Sequence, residues 1–151
     1  MNKLTKLSLT AGLLLAGGAS QSTTAQEKQA KKTGEIAGLR SPALVERGKY
    51  IVENVAMCER CHTPRDENGS PERNHWLMGG PIQIMQTYPT PTWATREPRI
   101  AGAPPGTDEQ FITLMTTGIS RTGAPPNLPM PPFRMTRPDA EAVLAYLKSL
   151  R

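Results

Sequence analysis

Cys58-Glu59-Arg60-Cys61-His62 is the stretch whose reading decides this chain. The spacing C-x-x-C-H is an attachment signal for c-type haem. Two thiols two residues apart can each add across one haem vinyl group, and the adjacent imidazole of His62 then lies under the iron. Iron in that position needs a second axial ligand. A thioether opposite a histidine is one pairing that suits one-electron chemistry. Two other readings of the same residues stand beside this one. A redox-active dithiol would begin this way, but it belongs with strands alternating with helices, and no clear strand pattern is present. A zinc site needs four ligands, and the chain has no third Cys and only one other histidine, His75.

Composition agrees with a haem reading. The 151 residues fit one domain, yet aromatics make up only 5%. A haem would supply the apolar bulk that the side chains lack. Both cysteines fall in the motif, leaving none for a structural disulfide. The formal charge is +5, of which Lys3 and Lys6 lie in a segment expected to be removed. That mild excess, with no arginine stripe interleaved with aromatics, does not describe a nucleic-acid binder. Arginines are free to pair with haem propionates or to face an acidic partner. No serine-histidine-carboxylate set or paired carboxylates suggest hydrolytic chemistry.

Residues 1–25 read as a secretory signal, with a basic start, an apolar run from Leu7 to Ala19, and small residues after it. The run is short for a membrane span, and cleavage after Ala19 or Ala25 fits. Residues 26–40 are polar and form a leader, and residues 41–151 form the haem domain. Ser41-Pro42 starts a helix, with Ser at the N-cap and Pro in the first turn. Leu44, Val45, Gly48, Ile51, Val52 and Val55 make one apolar face that leads into Met57 and Cys58. Glycine inside a helix costs about 1 kcal/mol relative to alanine, so Gly48 marks the close approach of a second helix. Residues 63–106 are rich in Pro and Gly and are expected to wrap the haem as loops, with Trp76 and Trp93 as candidates near its edge. Thr107 to Gln110 has the capping-box form, opening a helix with Phe111, Leu114 and Met115 on one face and Gly118 at its end. Thr136 opens the last helix in the same way. Its stripe is Ala140, Val143, Leu144, Leu147 and Leu150, and Tyr146 is placed to cover Gly48. No internal repeat is visible.

For the second axial ligand, Met130 is the first choice. It lies in Pro125-Pro126-Asn127-Leu128-Pro129-Met130-Pro131-Pro132, where the prolines leave the strap little freedom to lose. Met135 is the runner-up, and His75, giving bis-histidine iron, comes third.

With C-x-x-C-H after a first helix, a methionine in a Pro-rich loop and a last helix containing Ala145-Tyr146-Leu147, residues 42 to 150 resemble the mono-haem class I cytochromes c. His62-Thr63-Pro64-Arg65, Gly79-Gly80-Pro81 and Leu128-Pro129-Met130-Pro131 are similar to the cytochrome c modules of periplasmic dehydrogenases. The Asn-Ile-Thr stretch that such modules often carry near the propionates is replaced here by Thr92-Trp93-Ala94-Thr95. The resemblance implies an all-α fold, three to four helices and long loops wrapped around one covalently bound haem c. It implies first and last helices crossing at a small residue, a place for Gly48 and Tyr146. It also implies attachment at Cys58 and Cys61 and iron held by His62 and Met130. The second nitrogen of His62 should bond a backbone carbonyl, for which Pro81 is the candidate. The implied role is electron transfer rather than catalysis. The protein would be exported to the periplasm, soluble or loosely membrane-associated, with a dehydrogenase or terminal oxidase as redox partner. A haem sensor or an enzyme with an open iron position is the alternative.

Overall fold

The computed structural model describes residues 41–150; the expected signal segment, the polar leader and Arg151 lie outside them. Helix α1 spans Pro42–Tyr50 and runs directly into a π-helical turn at Ile51–Val55. Then come α2 (Glu59–His62), a 3-10 turn at Arg73–His75, a two-residue antiparallel ladder of β1 (Gly80–Pro81) with β2 (Arg96–Glu97), α3 (Asp108–Thr117) and α4 (Arg137–Ser149). Among the described residues, four helices joined by long loops make the all-α architecture that the sequence implies. The short β-ladder was not expected.

The first and last helices meet where the sequence placed them. A side-chain carbon at Gly48 would lie 1.9 Å from the carbonyl oxygen of Ala142 and 2.9 Å from Cβ of Tyr146. The two backbones therefore touch, and only glycine permits it. The Tyr146 hydroxyl donates to Glu53 at 2.6 Å, joining α4 to the π-turn. Ile51, Val52, Val143, Leu144 and Leu147 are buried in the core around this crossing.

One member of the expected α1 stripe is displaced. Ala56 donates to the carbonyl of Ile51 and Cys58 to that of Val52, so the turn holds more residues than an α-helical one. The widened turn carries Val55 off the buried face, and it is 56% exposed. Met57 follows with φ of 48°, a conformation that bulky residues rarely adopt, and the chain turns there into α2.

Helices α3 and α4 begin as read. Thr107 accepts from the Gln110 amide at 3.2 Å, and the Gln110 side chain accepts from the Thr107 amide at 2.9 Å. Gly118 ends α3 with φ of 67°. Thr136 accepts from the Asp139 amide at 3.3 Å. Ser41 holds the N-cap position of α1, but its side chain makes no capping bond; Pro42 supplies the preset first turn. Arg137 makes two 2.8 Å bonds to Glu109, fastening the start of α4 to the start of α3. No helix among the described residues is long and apolar enough to cross a membrane.

Candidate functional site

The elements close around a cavity of about 470 Å³. That volume lies in the range of about 300–1,000 Å³ that holds cofactors and small ligands. Cys58, Cys61 and His62 form one side. Phe111 and Met115 of α3, Val143 and Leu147 of α4, and the Pro125 to Pro131 loop form much of the rest. Several of these side chains also belong to the core, so the cavity sits where a domain of this size would otherwise have packed side chains.

His62 is 7% exposed and held in one orientation. Its Nδ1 lies 2.9 Å from the carbonyl oxygen of Pro98. A carbonyl can only accept, so Nδ1 carries the proton and Nε2 keeps its lone pair. Burial pushes the imidazole below its ordinary pKa, outweighing the opposite effect of the Pro98 bond, and so favours the neutral ring that a metal requires. The carbonyl is thus supplied by Pro98 and not by Pro81.

The reason lies in the diglycine. The Gly79 amide donates to the His62 carbonyl at 2.7 Å, and Gly80 pairs with Glu97 across the β-ladder. A Cβ at Gly79, where φ is 72°, would come within 2.5 Å of backbone atoms of Glu97, Pro98 and Arg99. The two glycines before Pro81 leave the gap through which the segment bearing the Pro98 carbonyl passes. Gly79→Ala should therefore destabilise the domain by about 3 kcal/mol, combining left-handed strain with a backbone clash. Urea unfolding checks this, and an unchanged midpoint would refute it.

Behind His62, the buried Thr63 hydroxyl accepts from the Leu77 amide at 2.9 Å. The Leu77 carbonyl in turn accepts from the amides of Ile100 and Ala101. The loop from 63 to 79 is thereby pinned to the segment that follows β2.

Cys58 and Cys61 both line the cavity and are not joined in a disulfide. Burial, helped by the Glu59 charge, pushes the Cys58 thiol up to about 12. Burial and the charge of Glu97 push Cys61 up as well. Thiol exchange needs a thiolate near neutral pH, so these surroundings oppose the dithiol reading. Among the described residues, no group of three or more His, Cys, Asp and Glu side chains is arranged to hold a bare metal ion.

Met130 lines the cavity, as do Met135 and Met115. The loop bearing Met130 is tied down by the Ala94 amide, which donates to the Leu128 carbonyl at 2.6 Å, and by the Met130 amide, which donates to Asn127 at 3.2 Å. Met135 lies closer to regular structure, with its amide on the Met115 carbonyl and Thr136 next to it capping α4. His75 is not among the cavity-lining residues. Its exposed ring instead lies 2.6 Å from the Glu72 carboxylate. Neither indole lines the cavity: Trp76 lies against Arg73, and Trp93 bridges to Leu128.

Two arginines that the sequence could not single out, Arg96 and Arg121, line the cavity and have no carboxylate partner among the described residues. Glu97 faces in as well, and burial pushes its carboxyl above the ordinary range. An apolar chamber with two thiols, a neutral imidazole, thioethers and two unpaired guanidinium groups fits the chemistry of haem c.

Comparison with known proteins agrees. A family model described as Cytochrome c matches residues 45–151. The fructose dehydrogenase cytochrome subunit of Gluconobacter japonicus is 29% identical over 114 residues, covering 69% of this chain and 21% of that subunit. A protein described as diheme cytochrome c-type, from Cereibacter sphaeroides, is 50% identical over 36 residues, covering 24% of this chain and 12% of that protein. The chain thus matches about a fifth of the first relative's length and about an eighth of the second's.

Proposed function

The chain belongs to the cytochrome c family and serves electron transfer through haem c, and from that premise we propose that it is a periplasmic carrier of single electrons. Cys58 and Cys61 would attach a single haem, and His62 and Met130 would hold its iron. The supporting observation is that a neutral imidazole, a proline-strapped thioether and both thiols border one cavity.

When bound, haem c supplies a one-electron couple at its iron. The chain's residues keep the change at that couple small. The Pro98 carbonyl fixes the ring of His62, so the ligating nitrogen does not reorient between oxidation states. The loop bearing Met130, held by Ala94, Asn127 and its own prolines, keeps the thioether close although its bond to iron is weak. Arg96 and Arg121 would be available to pair with the propionates. Phe111, Met115 and Leu147 would present apolar surface to the bound group and keep water from it. No proton transfer or covalent intermediate is required.

The likeness to a dehydrogenase cytochrome subunit supports a dehydrogenase as electron donor, with a terminal oxidase or another carrier as acceptor. The signal-like residues 1–25 support export, since haem of this type is attached outside the cytoplasmic membrane.

Met130→Ala tests the ligand assignment. The weak sulfur-to-iron absorption band of the oxidised protein should disappear, carbon monoxide should bind the reduced form, and the midpoint should fall by about 59 mV or more, ten-fold in a one-electron equilibrium. Met135→Ala should keep the band. If Met135→Ala loses the band and Met130→Ala retains it, the assignment is wrong.

A further inference from the structure

Glu97 is a buried carboxylate that neither the fold nor the ligand set uses. It is 8% exposed, it lines the cavity, and its Oε1 has no hydrogen-bond partner among the described residues. Its Oε2 stands 3.9 Å from Nε2 of His62, beyond hydrogen-bonding distance. A carboxylate buried without a partner costs several kcal/mol, and an apolar residue would occupy this position more cheaply. Among the described residues no Lys or Arg side chain pairs with it.

We propose that Glu97 sets the reduction potential of the haem, its carboxylate acting on the His62 side as a fixed counter-charge to the oxidised iron. The inference rests on His62 being an axial ligand. A fixed negative charge at Glu97 would stabilise the oxidised form of a bound haem more than the reduced form, which carries one positive charge less. The oxidised state is favoured and the potential is held down. The backbone makes this placement rigid. In the two-residue strand β2, Arg96 is exposed and Glu97 is buried, and Gly80 fixes the register opposite Glu97. The next residue, Pro98, holds the His62 ring. Counter-charge and ligand orientation are thus set by consecutive residues. In an interior with an effective dielectric constant of about 20, a unit charge within several ångströms of the iron changes a one-electron equilibrium by about ten-fold or more.

The test is a spectroscopically monitored redox titration of the haem-loaded protein and its Glu97→Gln and Glu97→Asp variants. Glu97→Gln should raise the midpoint by about 59 mV or more, the equivalent of ten-fold. Glu97→Asp, which keeps the charge, should remain nearer the wild type. A Glu97→Gln midpoint equal to that of the wild type overturns the proposal, and so do equal shifts in both variants, which would report packing. The sulfur-to-iron band reads the axial ligands separately. Its absence from the wild type would fail the Met130 assignment, while the midpoints still decide the role of Glu97.

Discussion

Gly48→Ala should destabilise the folded domain by about 3 kcal/mol or more, although alanine is the better helix former. Propensity alone favours the substitution by about 1 kcal/mol. Against that, the new methyl would lie 1.9 Å from the Ala142 carbonyl oxygen and 2.5 Å from its carbon. Both atoms belong to the backbone of α4, so no side-chain rotation relieves the clash, and the two helices must separate. Separation opens the packing around Ile51, Val52 and Leu147, and overpacking a tight core contact costs about 1–3 kcal/mol or more even where neighbours can yield. Out of a typical stability of about 5–15 kcal/mol, that is a large share. Denaturant unfolding of the haem-loaded protein measures it. If Gly48→Ala unfolds at or above the wild-type midpoint, the helices do not cross by backbone contact.

Replacing both Cys58 and Cys61 by serine should remove covalent haem entirely. Both thiols border the cavity, and the described residues contain no other cysteine that could form a thioether. Serine is close to cysteine in size but does not form that bond, so the site keeps its shape while losing its attachment. After export from a host that matures c-type cytochromes, wild-type protein should exceed its polypeptide mass by one haem under denaturing conditions. The double variant should show polypeptide mass alone, and each single variant should remain attached by one bond. Wild-type protein with two free thiols and no added mass would restore the dithiol reading.

Features that depend on neighbours in sequence were legible before the fold was seen. The C-x-x-C-H motif, the capping box at Thr107, the Thr136 cap and the buried stripe of α4 are all short-range patterns, and each is present. Gly48 was legible too, because a glycine inside a good helix needs a reason. What could not be read depends on where distant strands pass. Pro98 rather than Pro81 meets His62 because Gly79 lets the later segment slip close, 36 residues away from the ring it holds. Glu97, Arg96 and Arg121 carried no local signal; nothing in their immediate surroundings distinguishes a cavity residue from a solvated one. Val55 was misplaced because a regular helical period was assumed where the turn is wider.

That wider turn reconciles two demands that an ordinary helix cannot meet together. Upstream, Gly48 commits one azimuth of α1 to the backbone of α4; downstream, the thiol of Cys58 must open toward the chamber. The surplus residue works as a phase adjuster between a docking face and a reactive face. A lineage that shed one position between Ile51 and Val55 would keep a well-formed rod, yet it could satisfy only one end at a time, either seated against its neighbour or presenting its sulfur.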